Sequence, residues 1–488
     1  MHKAQKLYQY GVQALWAALF LLLPFTSSPQ VARIAGGTMV ATPSGLILFA
    51  LMVVWFLPMI FKGIRIPSYS LMLIFFVLFS IISVISGYWK GIPPFKGVNI
   101  LKENIEGLIT LLMGVLFFFI PYTRLEKQND PETYQWTFRL ITYAGFIIFA
   151  KSILDFAVWR IFNTYPYWFE NLHKTLVTGP LFQERVSGFA YEPSWLANQL
   201  NLLFIPYWLA SVISRHSAFR KKLWIFQVED FCLVLAIFVL VFTISRLGYL
   251  SFVMMVGIVF LAGTISGAKW LRHKMAARLK INEKKTLLPT ILTLLIGVMI
   301  VLIYAGVFFG AAFALNYLDS RNANIFDVLS FRDFDFFRYA RDLGFGARVS
   351  YWIAAWNNFT EHPFLGVGLG NSGFFFPQNL PGSAWGLEEV RRYMFQENIL
   401  LNTKSLWFRL VSETGIIGFS LFITFALAIF LNVLLLFWSK QRQKRMMGWM
   451  GVFVFSAIIF EQLSLDSFAL PYFWISFSIV AASRNLPE

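Results

Sequence analysis

The sequence predicts an all-α polytopic membrane protein, and three observations carry that prediction. Of 488 residues, 58% are hydrophobic, 18% aromatic and only 14% charged, a balance outside the range of soluble domains. The apolar residues gather into about 12 windows, each near the ~20 residues that cross ~30 Å of hydrocarbon. Lysine and arginine concentrate in alternate short loops, the mark of segments that face the cytoplasm. Three regions follow: residues 1–309 with spans 1–9 and short loops, residues 310–404 as one large helical extracytoplasmic loop, and residues 405–488 with spans 10–12.

Taken in order, the spans fall near residues 8–26, 40–61, 68–87, 105–121, 138–158, 193–213, 230–244, 247–266, 287–309, 409–438, 447–465 and 467–483. The first has a basic start (His2, Lys3, Lys6) and small residues after Pro24, as a signal peptide does. The further spans and their inside-positive loops make it a retained signal anchor instead. The window at 230–244 is the shortest and pairs with the next as a tight hairpin. With the N-terminus in the cytoplasm, Lys62/Arg65, Arg124/Lys127, Arg215 with Arg220 to Lys222, the run from Lys269 to Lys285, and Lys440 to Arg445 all lie inside. Both termini are then cytoplasmic and residues 310–404 are outside.

The net charge of +16 does not point to nucleic acid. Most of the excess lies on the cytoplasmic edge, where anionic lipid headgroups are sufficient partners. The long loop, with eight basic against nine acidic residues, is near neutral. Lone Cys232 sits within an apolar span, so no disulfide or thiolate metal site is expected. Of the five histidines only His173 and His362 fall outside, and none belongs to a metal-ligand spacing. There is no internal repeat, which weakens a transporter architecture.

Depth separates the ionisable residues. Lys102, Glu103 and Glu106, then Lys151, Asp155 and Arg160, then Glu192, Arg246, Arg409, Glu413, Glu461 and Asp466 all fall at the outer ends of their spans. They are either snorkelling helix ends or the lining of one polar basin beneath the loop. The nearly charge-free inner halves of the same spans favour the basin. Arg185 precedes a helix start at Glu192-Pro193-Ser194, where proline suits the first turn. Arg246, in Ser245-Arg246, stands between two spans with almost no loop. As an orientation signal it is on the wrong side, so anion binding is the better account.

In the loop, Arg348, Trp352, Trp356 and Phe359 recur at helical spacing and form one stripe of an amphipathic helix. Pro363 and the run Gly366, Gly368, Gly370 end it. A glycine-rich turn can bring backbone N–H groups to a phosphate, although this one lacks the preceding strand. Arg332-Asp333-Phe334-Asp335 contains an Asp-x-Asp. Arg338 and Arg341 at helical spacing make an ion-paired surface the better account than a metal site.

The stretch Arg348 to Trp352 to Glu361-His362-Pro363, Gly366 and Gly368, followed by Leu406-Trp407, Leu410, Glu413, Gly415 and Gly418, resembles the superfamily of O-antigen ligases and Wzy-type O-antigen or exopolysaccharide polymerases. Arg185, Gly188, Glu192-Pro193-Ser194 and Ser245-Arg246 are similar to upstream elements of polymerase members, and the resemblance spans roughly residues 180 to 420. It implies a GT-C-like helical fold in the bacterial plasma (inner) membrane, with an outward-facing site. It also implies undecaprenyl-pyrophosphate-linked glycan substrates, no cofactor, no metal, no nucleotide-sugar donor, and flippase and chain-length regulator proteins as partners. Ligases of the superfamily carry a histidine about nine residues before the position of Glu413; here that position is Lys404. The polymerase branch is therefore favoured, with ligase second.

Transfer of a glycan from such a carrier leaves a diphosphate, and stabilising that charge should be the largest catalytic contribution. Arginine offers a permanent, bidentate contact to phosphate. Arg185, Arg246 and Arg348 are the candidate clamps, with Lys404 and Arg409 as supplementary cations. Glu192 is the carboxylate best placed to take the acceptor proton, and His362 is either a substitute base or part of a structural turn. Trp352, Trp356, Phe374, Phe375, Trp385 and Trp407 either stack on sugar rings or pack the loop. Gly366, Gly368 and Glu413 complete the candidate substrate site. A flippase or exporter of the same lipid-linked glycan would also need cations, but through the full depth of the membrane.

Overall fold

The computed structural model describes residues 2–35, 41–64, 66–219, 224–279 and 336–486, with positions 294–295, 297–299, 302–306 and 310 between them. Among the described residues all regular structure is helical, apart from one isolated bridge between Ser27 and Ala41. The chain divides into two compact units: Met1–Tyr249 with Ala347–Glu488, and Leu250–Gly346. Arg332, Asp333 and Asp335, and most of the expected span at 287–309, lie outside the described residues.

The principal helices are α1 (His2–Leu21), α2 (Pro43–Phe61), α3 (Ser70–Lys90), α4 (Ile100–Gln128), α5 (Pro131–Phe162), α6 (Tyr167–Leu176), α7 (Pro193–Ser214), α8 (Val228–Thr243), α9 (Arg246–Leu279), α10 (Gly346–Glu361), α11 (Leu406–Phe437), α12 (Arg442–Glu461) and α13 (Tyr472–Ala482). Seven are long and apolar enough to cross a membrane: α2, α3, α4, α5, α7, residues Arg246–Gly267 of α9, and α11. Turn chemistry sets their ends. Between α4 and α5 only Asn129 and Asp130 intervene; Asn129 adopts the left-handed conformation (φ 40°) and the Asp130 carboxylate accepts from Glu132 N at 3.2 Å, the cap that an N-terminal aspartate provides. The break expected between the windows at 230–244 and 247–266 falls at Ile244 (φ 49°), which ends α8, and α9 begins two residues later.

The expected span at 467–483 takes a different form. Its helix, α13, has 11 residues, every one buried, and at 1.5 Å per residue it reaches about 16 Å, too short to cross hydrocarbon alone. Irregular backbone from 462 to 471 precedes it. Trp474 Nε1 donates to Phe468 O at 2.8 Å and Tyr472 Oη to Leu23 O at 2.9 Å, while Gly114 of α4 leaves the space that the Trp474 ring fills. Burial inside the bundle, with its polar groups paired, is what makes such backbone tolerable. α4, α11 and α12 pack around this helix, α3 lies on α11, and α7 lies on α12 and α8.

Within the first unit, the loop residues that follow α10 have a core of their own. Tyr351, Ala354, Val367, Phe374, Phe376 and Val390 pack with Phe95, from the α3–α4 connection. This places the loop over the ends of α3, α4 and α11, opposite the end where Tyr8, Asn129 and Asn485 lie.

Candidate functional site

Two segments 58 residues apart meet at the α8–α9 turn. Arg185 Nε donates to Thr243 O at 3.1 Å and its Nη2 to Ile244 O at 3.5 Å, while Val186 N donates to Phe242 O at 2.8 Å. The last carbonyls of a helix lack partners in their own helix, so a guanidinium is a natural cap there. The cap leaves Arg185 beside the turn from which Arg246 opens α9. Both side chains are half-buried.

The Arg185 segment is itself tied down. Gly188 N donates to Asp155 Oδ2 at 3.0 Å, and Asp155 is paired with Lys151 on α5. Lys151 Nζ also lies 3.4 Å from His173 Nδ1, and His173 Nε2 is 2.9 Å from Gly179 O. Burial, then the Lys151 ammonium, lower the His173 pKa to about 4. The neutral ring, donating from Nε2 and accepting at Nδ1, satisfies both neighbours. Glu192 sits at the N-cap position of α7 and its carboxylate accepts from Ser194 Oγ at 3.2 Å. Burial, then the charges of Glu192 and Tyr393, raise the pKa of the adjoining Tyr191 phenol.

Beneath the turn lies a polar cluster that sequence reasoning missed in part. Asn201 Nδ2 donates to Gly248 O at 2.8 Å and to Glu461 Oε1 at 2.7 Å, and Asn198 Nδ2 lies 3.5 Å from Glu461 Oε2; all three side chains are buried. Gly248 permits the approach, because a Cβ there would stand 2.7 Å from that of Ala197. One residue beyond Glu461, the Gln462 carbonyl accepts from Ser405 Oγ and from Leu406 N, both at 2.9 Å. Lys404 thus enters the same neighbourhood, with φ 53° and no ion pair among the described residues. The i, i+3 spacing of Asn198 and Asn201 on an apolar helix was the available signal.

Arg409 and Glu413 belong to a second cluster. Arg409 Nε donates to Glu413 Oε2 at 2.9 Å and its Nη1 to Asp466 O at 2.9 Å, with the guanidinium 5.1 Å from the Phe468 ring centroid. The glycine run seats on this part of α11. Gly366 N donates to His362 O, Val367 N to Ser412 O and Gly368 N to Glu413 O, at 2.9–3.0 Å. Those three amides already have acceptors and are not open to a phosphate. The glycines answer geometry: Gly366, Gly368 and Gly415 have φ of 67°, 98° and 61°, and a Cβ on Gly366 would collide with Glu413 backbone. Gly415 kinks α11 where Ile416 N donates to Pro363 O at 2.8 Å. Asn104, on α4, donates to Leu369 O at 2.7 Å and to Asn371 Oδ1 at 2.8 Å.

On α10 the buried stripe is Tyr351, Ala354, Ala355 and Asn358, so the stripe of Arg348, Trp352, Trp356 and Phe359 lies on the less buried side of the helix. The small alanines let the loop core close on the helix, which leaves Trp356 50% exposed and Arg348 half-buried. Trp352 stacks on Phe408 with centroids 5.4 Å apart. Phe374 and Phe375 are buried in the loop core, and Trp407 Nε1 donates to Ile459 O at 3.0 Å. Trp385 lies beside Phe395. His362 packs edge-on against Phe375, and burial followed by the Lys90 charge lowers its pKa. The charges at this end of the bundle are therefore held by specific partners, and those at Arg185 and Arg246 are the best candidates.

Among the described residues no group of three or more His, Cys, Asp or Glu side chains could hold a metal ion. No curated protein matches the chain. The family model for the O-Antigen ligase, Wzy_C, matches residues 231–423. That segment holds Arg246, the glycine run, Lys404 and the kink of α11, and over it the chain is similar to the O-antigen ligase and Wzy superfamily, which supports a glycan-processing membrane protein.

Proposed function

We propose that the protein is a polysaccharide polymerase that transfers a glycan chain from a polyprenyl pyrophosphate to a lipid-linked repeat unit on the outer face of the membrane. The observation that carries this reading is the joining of Arg185 to the Thr243–Ile244 carbonyls beside Arg246. Two guanidinium groups on one turn at a helix end suit a diphosphate, for which arginine is the favoured partner. In the transfer, the acceptor hydroxyl oxygen forms a bond to the anomeric carbon and the bond from that carbon to the diphosphate breaks. The hydroxyl proton passes to Glu192 and the diphosphate leaves on its polyprenyl chain. Arg348 and Lys404 add positive charge, and the exposed Trp356 offers a face to sugar rings.

Because arginines supply the countercharge, the transfer needs no divalent ion, and chelator-treated protein should keep its rate. Recovery of a chelated rate on adding Mg²⁺ or Mn²⁺ would contradict this. The decisive experiment gives purified protein lipid-linked repeat units alone. Elongated product supports the polymerase. Lipid movement across the bilayer without product would make it a flippase. The family description favours ligase as the second reading; transfer only to a lipid A-type acceptor, with no elongation, would establish it.

A further inference from the structure

Arg124 lies at the end of the bundle opposite the candidate site and is 4% exposed. Its guanidinium stands 4.8 Å from the Trp16 ring centroid and 6.0 Å from that of Trp55, and its Nε has no hydrogen-bond acceptor among the described residues. No ion pair joins it to a carboxylate among those residues. A buried guanidinium without an anion is costly, and such groups mark binding sites.

Two cavities, of about 880 and 450 Å³, meet at this residue. Both are lined by Gln13, Arg124 and Gln128; Arg139 joins the larger and Lys127 the smaller. The larger cavity also carries two carboxylates, Asp130, which is engaged as the cap of α5, and Glu132, so the anion is taken on the Arg124 side shared with the smaller cavity. Arg139 is anchored by its Nε, which donates to Ala218 O at 2.7 Å. The smaller cavity is cationic, with neutral carboxamides for further hydrogen bonds. At its rim the surface is apolar: Tyr8, which lines the smaller cavity, is 47% exposed, and Val54, whose carbonyl accepts from Tyr8 Oη at 3.0 Å, is 42% exposed.

We infer that this pair of cavities binds the phosphate of an anionic phospholipid headgroup, with Arg124 as its principal ligand and the exposed apolar edge of α1 and α2 receiving the acyl chains. An anion with no hydrocarbon would satisfy the guanidinium but leave that edge unused. Tryptophan beside the cation is the usual composition at headgroup depth, and an anionic leaflet supplies the ligand.

The full-length protein, purified in a neutral detergent, should be titrated with dioctanoyl phosphatidylglycerol, dioctanoyl phosphatidylcholine and inorganic phosphate, with Tm and native mass spectrometry as readouts. Phosphatidylglycerol should raise Tm and appear as a retained adduct, whereas phosphatidylcholine should do neither at the same concentration. Arg124→Gln should weaken half-saturation by at least about tenfold, the loss expected for one charge-assisted bidentate contact. Gln128→Glu, at an exposed position on the rim of both cavities, should do the same without disturbing the core. Equal binding of the two lipids by the wild type, or wild-type affinity in both variants, would overturn the inference. An Arg124-dependent shift by inorganic phosphate equal to that of phosphatidylglycerol would overturn the lipid and leave a free-phosphate site.

Discussion

Replacing Arg185 would remove both a cap on α8 and a charge beside Arg246, because its guanidinium is bonded to the Thr243 and Ile244 carbonyls. Transition-state contacts of this kind are worth about 3–4 kcal/mol. Arg246→Ala and Arg185→Ala should each cut polymerisation by about two orders of magnitude or more, and the lysine variants should recover only part of it. Arg185→Ala should also lower Tm, since the cap is lost. Full activity in Arg246→Lys would remove the case for a bidentate clamp. His173 offers a test that is independent of activity. Its pKa of about 4 in the fold lies below the ~6.5 of an unfolded chain, so the unfolded state binds the proton first. The stability contributed by the neutral ring is complete above about pH 6.5 and is lost as pH falls toward 4, amounting to about 3 kcal/mol in full. Thermal unfolding should therefore show Tm falling across that window, and His173→Gln should flatten the fall. An unchanged slope in the variant would mean that the ring is not held neutral.

The glycine run and the kink of α11 act as one joint, because each supplies backbone the other packs against. A Cβ on Gly415 would collide with Phe364 O, and one on Gly366 with Glu413 C; both positions have positive φ. Backbone strain of that kind costs about 1–3 kcal/mol per residue, and the collisions add to it. Gly366→Ala and Gly415→Ala should each lower Tm and make the loop more susceptible to limited proteolysis, whereas Gly382→Ala, with open space around it, should change neither. Equal protection in all three would show that the joint does not hold the loop. The spacing of these glycines is visible in the sequence, but the acceptors of the Gly366 and Gly368 amides are not, which is why their packing against α11 was not legible there. The same limit applies to α10. Periodicity marks Trp352 and Trp356 because they are large, yet close approach is made by Ala354 and Ala355.

Across the whole molecule, composition and apolar length made the helical membrane class legible, because hydrocarbon imposes both on any spanning helix. They could not distinguish a crossing helix from a buried one, as α13 shows with its 11 residues behind irregular backbone. Nor could they reveal Asn198 and Asn201, whose neutral amides hardly alter the hydropathy of their window. The arginine pair was partly legible: Arg246 stood out for want of a loop, while its meeting with Arg185 depends on tertiary contact. Orientation remains the expectation on which the proposed chemistry turns, since lipid-linked repeat units must reach Arg185 and Arg246 from the outer face. Positive-inside asymmetry puts the loop outside and the Asn129 turn, Arg442 and both termini inside. Buried Cys232 should first be replaced by alanine; single cysteines can then be placed at Gln378, Gln128 and Arg442, all exposed. In intact spheroplasts an impermeant maleimide should label Gln378→Cys and spare the other two, which should react once the membrane is opened. The reverse pattern would turn the site toward the cytoplasm, and a polymerase acting on the outer face would then have no arginine clamp there.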